Sequence, residues 1–169
     1  MLKIKFLILL SSALLLVSCG MKMEQNTVDK NNKYSVKSLS GGQSAFNYIN
    51  ILKQQLIAND LYSNKADNEI VVSIGENRKY LTTSITKVAS RESSTLAIQV
   101  QVYDRTKLNC ILFDENYVSE QTYSVSGSSS TLSNRVARDD VFLINSENIS
   151  HRIIDDLLFK TNKICIINE

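Results

Sequence analysis

Residues 95–103 read Thr-Leu-Ala-Ile-Gln-Val-Gln-Val-Tyr, and this stretch carries the clearest strand pattern in the chain. Every second residue from Leu96 to Val102 is aliphatic, with alanine or glutamine between them. Successive side chains of a strand point to opposite faces of a sheet, so this alternation predicts a strand with one buried and one polar face. Strands of this kind are typical of a sheet that is covered by helices on one side and open to solvent on the other.

Segments on either side of this stretch predict three further strands. They span residues 33–39, 70–85 and 110–125, and apolar and polar residues tend to alternate in each. Between the second and third strands, residues 90–94 read Ser-Arg-Glu-Ser-Ser, a polar run that predicts a link rather than a strand interior. Residues 104–109 are expected to turn the chain into the last strand.

Two segments show the three- and four-residue periodicity of amphipathic helices. The first covers residues 45–59, and the second covers about residues 132–160. Their predicted core-facing residues are Phe46, Ile49, Leu52 and Leu56 in the first helix, and Ile149, Ile153, Ile154, Leu157 and Leu158 in the second. The order β-α-β-β-β-α predicts an α+β fold, in which two helices pack on a mixed or antiparallel sheet of about four strands.

The chain opens with a different pattern, which predicts export from the cytoplasm. Lys3 and Lys5 precede an apolar run that ends in Leu-Val-Ser-Cys-Gly at residues 16–20, an arrangement typical of a secretory signal. The run is too short for a stable membrane-spanning helix. Cys19 after Leu-Val-Ser resembles the lipobox of bacterial lipoproteins, in which the cysteine receives a diacylglyceryl group and the signal is cut just before it. The alternative is an ordinary signal peptide whose cleavage site adjoins a cysteine.

The lipobox interpretation divides the chain into three parts. Residues 1–18 are the signal peptide, residues 19–32 are the lipidated Cys19 with a polar, flexible tether, and residues 33–169 form one domain. Several acyl chains on one cysteine give a much firmer anchor than a single chain. In lipoproteins an aspartate after the cysteine tends to retain the protein in the inner membrane. Because Gly20 stands there instead, the resemblance implies the periplasmic side of the outer membrane.

The charge balance argues against nucleic acid as a partner. Lys3 and Lys5 leave with the signal, so the remaining chain keeps 17 of the 19 basic residues against 17 acidic ones. Binding to a nucleic-acid backbone requires a dense basic surface. A chain without net charge is therefore expected to have other partners.

The two remaining cysteines, Cys110 and Cys165, leave two states open. A disulfide between them is chemically allowed in an oxidising periplasm. The alternative, and the more frequent case, is that they remain semi-buried thiols that pack as small apolar side chains. Sequence alone does not show whether their Cα atoms come close enough to be bridged.

The sequence shows no set of residues that would form a catalytic, cofactor or metal site. His151 is the only histidine, and no cysteine or second histidine stands near it in the sequence, which excludes an ordinary zinc pattern. No Gly-x-Ser-x-Gly elbow or glycine-rich phosphate loop occurs. The pairs at residues 139–140 and 155–156 are adjacent aspartates on a predicted helix, so their side chains diverge. We expect a protein that is not an enzyme and that needs no cofactor beyond its covalent lipid.

The C-terminal part of the chain resembles the LptE family of lipopolysaccharide-assembly lipoproteins. The resemblance is carried by Gln-Thr-Tyr-Ser-Val at residues 121–125, a Ser/Gly loop, Ala-Arg-Asp-Asp at residues 137–140, and a helix ending in residues 149–158. The lipobox and the order of the earlier elements fit the family as well. One departure is Met-Lys-Met at residues 21–23, where many members carry an aromatic residue.

The resemblance implies a role without catalysis at the outer membrane. Members of the LptE family sit inside the β-barrel of LptD as a plug, assist its assembly, and contact lipopolysaccharide on its way to the outer leaflet. Two competing functions from other classes are an auxiliary, periplasm-facing lipoprotein of a lipid-trafficking transporter and a purely structural lipoprotein. Neither would require entry into a barrel.

Two basic residues match basic positions of the family pattern. Arg91 lies in the predicted link after the second strand, and Arg138 lies at the start of the last helix. The resemblance implies that both are candidate contacts for lipid A phosphates, with Arg135 and Lys87 as neighbours. The alternative is that each is an ordinary solvated side chain, with Arg138 pairing with the adjacent aspartates.

Overall fold

The computed structural model describes residues 32–40, 42–82, 89–125, 132–160 and Cys165. Within these residues the elements follow the predicted order β-α-β-β-β-α, which confirms the α+β prediction. The elements are β1 (Tyr34–Ser40), α1 (Gly42–Ala58), β2 (Asn68–Thr82), β3 (Ala89–Asp104), β4 (Ile111–Ser124) and α2 (Leu132–Phe159). The signal peptide, residues 19–31 of the tether with Cys19, Lys87 and the predicted loop before α2 lie outside the described residues.

The four strands form one mixed sheet in the order β1-β2-β3-β4. β1 pairs with β2 in parallel, because α1 returns the chain to the end of the sheet where β1 began. The pairs β2–β3 and β3–β4 are antiparallel. The register of β2 and β3 runs from Asn68 opposite Asp104 to Leu81 opposite Arg91, so these two strands extend well beyond the short β1.

Both helices pack on the same side of the sheet, which we call the covered face. The strand residues buried there are mostly aliphatic and include Ile70, Val72, Leu96, Ile98, Val100 and Val102. The helices contribute Tyr48, Leu52 and Leu56 from α1, and Ile149, Ile153, Ile154 and Leu157 from α2. Phe46 was predicted to face the core, but 62% of its surface is exposed, because Ala45 and Tyr48 take the inward positions of that turn.

The opposite, open face of the sheet carries a row of polar side chains, beside the exposed Val118 of β4. On it, Gln101 donates a hydrogen bond to Asp114 at 2.8 Å, and the hydroxyl of Tyr103 donates to Gln101 at 2.8 Å. Gln99 lies on the same side and donates to the other oxygen of Asp114 at 3.3 Å. Side chains that satisfy one another in this way suit a surface in contact with water. In the described part of the chain, no helix has the length and apolar character needed to cross a membrane.

The prediction that residues 90–94 link two strands is wrong. These residues belong to β3, where Arg91 lies opposite Leu81 on one side and Ser124 on the other. The run is polar because its buried members meet polar groups: Glu92 is fully buried and Ser94 is 3% exposed. The polar residues of this run therefore reflect the polar groups that pack against this part of β3, and they do not mark a break in the strand.

Candidate functional site

Three of the basic residues singled out by the sequence, Arg91, Arg135 and Arg138, lie at the end of the domain where β2 and β4 finish and α2 begins. Arg91 is exposed, and the alternation along β3 places it on the open face. Arg135 is exposed in the first turns of α2. Within the described part of the chain, neither guanidinium forms an ion pair. Both are therefore available to an anionic ligand.

Arg138 has a different environment. Its Nη2 donates a hydrogen bond to Glu92 Oε2 at 2.8 Å, and a second, longer one to the hydroxyl of Tyr80 at 3.3 Å. The side chain of Arg138 is 20% exposed and that of Glu92 is 1% exposed, so the pair is largely shielded from water. Arg138 therefore joins α2 to β3 and does not pair with the adjacent aspartates.

The pKa values of Glu92, Arg138 and the neighbouring Tyr123 reflect the burial of this pair. Burial alone would raise the pKa of Glu92, but the hydrogen bond and positive charge of Arg138 outweigh it and hold that pKa below its usual range. The Glu92 carboxylate in turn raises the pKa of Arg138. Burial, and then the neighbouring Glu92, raise the pKa of Tyr123 to about 12. The pair is thus ionised at neutral pH, beside a neutral phenol.

Further polar contacts continue along the same helix. Asn145 is fully buried, and its amide donates to the Ser94 carbonyl at 3.2 Å. The Ser119 hydroxyl donates to the Asn145 side-chain oxygen at 2.7 Å. We call this set, comprising Glu92, Ser94, Ser119, Arg138 and Asn145, the polar end of the interior. The sequence contained one signal for it. Glu92 and Ser94 continue the every-second-residue series of Leu96 and Ile98, so they point to the same face of β3.

The first half of α2 exposes apolar side chains on its other side. Leu132 is 76% exposed, Val136 50%, Leu143 43% and Ile144 46%. We call this surface, with Asp139 and Asp140, the outward face of α2. Sequence reasoning missed it, although the spacing of Leu132, Val136 and Leu143 is helical.

Cys110 and Cys165 are brought together at the opposite end of the domain. Their sulfur atoms are bonded at 2.04 Å and their Cα atoms are 4.9 Å apart. Cys110 precedes β4, and Cys165 follows α2 by a few residues. The bridge therefore ties the chain after α2 to the start of the edge strand. Of the two states that the sequence left open, the structure has the disulfide.

Other charged groups near that end serve the packing of α2. The hydroxyl of Tyr117 donates to Asp156 at 2.7 Å, and Lys160 pairs with the same carboxylate at 2.9 Å. Arg152 donates to the Val118 carbonyl of the edge strand at 3.2 Å. His151 is exposed. Among the described residues, no three histidine, cysteine or acidic side chains are placed to hold a metal ion.

The comparisons with known proteins give the fold. No protein-family model and no curated protein match the sequence. Solved structures do match. A minor lipoprotein from Acinetobacter baumannii is 16% identical, with a TM-score of 0.59, over 75% of this chain and 90% of the other. The rare lipoprotein B from Shewanella oneidensis is 12% identical, with a TM-score of 0.57, over 75% and 93%.

A third solved structure agrees with these two. It is a putative lipoprotein from Caulobacter crescentus, 15% identical to this chain with a TM-score of 0.53, over 74% of this chain and 87% of the other. At such identities a similarity of structure establishes a shared fold. The described domain has the fold found in these three proteins.

Proposed function

We propose that this chain is an outer-membrane lipoprotein, anchored through acylated Cys19, whose domain acts as a non-enzymatic partner of the LptD β-barrel and contacts lipopolysaccharide. One observation carries the proposal: a domain with the fold of several lipoproteins follows a sequence that resembles a lipobox. In this proposal residues 1–18 are removed, residues 19–32 form the tether, and residues 33–169 form the working domain.

The open face of the sheet supports a position inside a barrel. The lumen of an outer-membrane barrel is polar, so a plug needs a polar surface there. The hydrogen-bonded row of Gln99, Gln101 and Asp114 supplies such a surface. A sheet covered on one side only also offers the barrel wall a flat area without disturbing the core.

The distribution of cations supports contact with lipid A phosphates through Arg91 and Arg135. Both side chains are exposed at one end of the domain. Guanidinium groups bind phosphate with two parallel hydrogen bonds, which a few well-placed arginines can supply. We assign Arg138 instead to the interior, because its Nη2 is already bound to Glu92. Lys87 stays a candidate from the sequence alone.

The anchor and the barrel partner are tested together. The full chain, tagged at its C-terminus, is co-expressed with the LptD of the same organism and purified from detergent-solubilised outer membranes. We expect intact-mass analysis to find a triacylated N-terminus at Cys19, and we expect LptD to co-purify. The Cys19→Ala variant is expected to lose the acyl mass. A chain that reaches the membrane and never retains LptD would favour the auxiliary-lipoprotein alternative.

Lipopolysaccharide binding is tested with a pair of matched double variants. We expect Arg91→Asp with Arg135→Asp to weaken binding of purified lipopolysaccharide at least fivefold, at an unchanged thermal transition. The control is Lys37→Asp with Lys65→Asp, which makes the same change in charge at exposed residues elsewhere. Equal loss in both variants would indicate a general charge effect, and no loss in the first would contradict the assigned contacts.

A further inference from the structure

The first half of α2 turns polar residues toward the sheet beside the buried Val141, and it carries an apolar stripe on its outer side. At about 100° per residue, Leu132, Val136 and Leu143 fall within roughly 40° of one another around the helix axis. All three are exposed, whereas Arg138 and Asn145 on the opposite side face the sheet. A surface helix normally places its apolar stripe toward the core and its polar residues toward water. Leu132, Val136 and Leu143 therefore form an apolar stripe that no other described residue buries.

The charges on the same surface restrict what can cover it. Asp139 and Asp140 lie within the outward face, and Glu147 follows about two turns later. All three are exposed, and none forms an ion pair within the described part of the chain. Arg135 is exposed at the edge of the same surface, one turn before Asp139, so the stripe is apolar and its surroundings carry a net negative charge.

Two occupants conflict with this charge. Phosphorylated or otherwise anionic lipids would bring their negative headgroups against Asp139 and Asp140, where like charges repel. A second copy of this chain, related by two-fold symmetry, would place the same acidic patch against itself. A partner that carries both apolar and basic side chains meets both properties of the surface, because opposite charges across an interface steer association and fix its register.

We propose that the outward face of α2 docks on a protein surface that presents aliphatic or aromatic side chains together with lysine or arginine. The inference rests on the proposed function, in which that protein is the barrel, and it adds which surface of the domain is used and what chemistry meets it. Of the two arginines assigned to lipid, Arg91 lies away from this surface, whereas Arg135 lies at its edge, one residue before Val136. Arg91 is on the open face of the sheet, and Val136 is on the far side of α2.

Site-specific photocrosslinking tests the inference in the full, lipidated chain co-expressed with LptD. A benzoylphenylalanine is placed at Val136 or Leu143 in α2, and at Lys65 or Leu108 as exposed controls at the other end of the domain. We expect crosslinks from the two helix positions to LptD, with basic residues identified near the crosslinked site by mass spectrometry. We expect Asp139→Lys with Asp140→Lys to reduce these crosslinks at least fivefold, while the thermal transition of the domain stays unchanged.

The outcomes separate the inference from the proposed function. The inference is overturned, and the proposed function stands, if LptD co-purifies but neither helix position crosslinks to it. The same holds if these positions crosslink to lipid or to a second copy of the chain. Crosslinks that survive the double charge reversal would also overturn the inference, since charge complementarity is part of it. If the wild-type chain retains no LptD, the proposed function fails, and the inference that rests on it fails as well.

Discussion

The two halves of α2 hold the same helix to the same sheet by different means. In the second half, Ile149 and Ile153 are fully buried against the aliphatic residues of the covered face. In the first half, Arg138 and Asn145 face the sheet and bind Glu92, Ser94 and Ser119 through hydrogen bonds. One helix thus passes from an apolar interior to a polar one.

The two halves of α2 contribute differently to the stability of the domain and to the orientation of the helix. Burial of apolar surface is favourable but has no preferred direction, so the buried isoleucines of the second half supply mainly stability, and its orientation there relies on the bonds of Asp156 and Arg152 to β4. The hydrogen bonds of the first half require particular geometry, and removing one partner leaves a buried polar group unsatisfied. The first half therefore adds directional contacts that orient the helix, and its contribution depends on pH and on the ion pair. This arrangement also leaves Leu132, Val136 and Leu143 free to face outward.

The largest effect on stability is expected from loss of the disulfide, which ties the chain just after the apolar half of α2 to β4. The bridge from Cys110 to Cys165 closes a loop with a sequence separation of 55. Chain-entropy arguments give about 4 kcal/mol of stabilisation for a loop of this length. We expect Cys165→Ser to lower the free energy of unfolding by about that amount in urea titrations. Reductant should lower the wild type to the level of the variant and leave the variant unchanged, and a wild type insensitive to reductant would contradict the prediction.

Truncation of a side chain compares the two halves directly. We expect Ile153→Ala, at a fully buried position, to cost about 3 kcal/mol of unfolding free energy, because it removes apolar contacts and leaves a cavity. The matched control, Leu143→Ala, lies on the outward face and is expected to cost about 0.5 kcal/mol or less. Calorimetric or urea unfolding measures both. Equal costs would mean that the outward face packs within the isolated domain and is not left for a partner.

Much of this comparison could be predicted from the sequence, and the part that could not has a physical reason. The aliphatic alternation of β3 and the Ile149–Ile153 stripe identified the apolar half, because burial in regular elements imposes its period on the sequence. The second helix was predicted over about residues 132–160 and is found at Leu132–Phe159. Phe46 was misplaced, since a helical stripe can be shifted by one position when neighbours such as Ala45 and Tyr48 also fit.

The polar half was not predictable in the same way. Glu92 and Arg138 are 46 residues apart, and nothing in either local segment indicates that they pair. A buried carboxylate in a strand looks like a loop residue until its partner is known, which is why residues 90–94 were expected to form a link. The disulfide posed the same difficulty, because the sequence showed two cysteines but not the distance between them. Contacts between distant side chains need the three-dimensional arrangement.

Removing the ion pair is expected to have an intermediate effect. We expect Arg138→Met to cost about 2 kcal/mol, because it leaves the buried Glu92 without its charge partner although some solvent reaches the site. Adding Glu92→Gln to this variant should restore part of the loss, since it removes the unpaired charge. A double-mutant cycle in urea measures the coupling between the two residues. Strictly additive costs would show that the pair contributes no coupling and that the polar end is held by its other hydrogen bonds.

The smallest effect on stability is expected from lowering the pH. The folded-state pKa of Glu92 lies below its ordinary value of 4.5, so the stability from its ionised form is present above that pH and is lost as the pH falls below it. Thermal unfolding between pH 6 and about pH 3 should therefore show the wild type losing its advantage over Glu92→Gln. Asp156, whose pKa is also lowered, is present in both proteins and cancels in the comparison.

The acid dependence also distinguishes the two halves of α2, because Ile153→Ala leaves the polar end intact. That variant should lose stability with falling pH in parallel with the wild type, at a constant offset. If instead Glu92→Gln runs parallel to the wild type over the whole range, the pKa of Glu92 is the same in the folded and the unfolded protein. The ion pair with Arg138 would then add no pH-dependent stability, and the polar end would be held by its other hydrogen bonds.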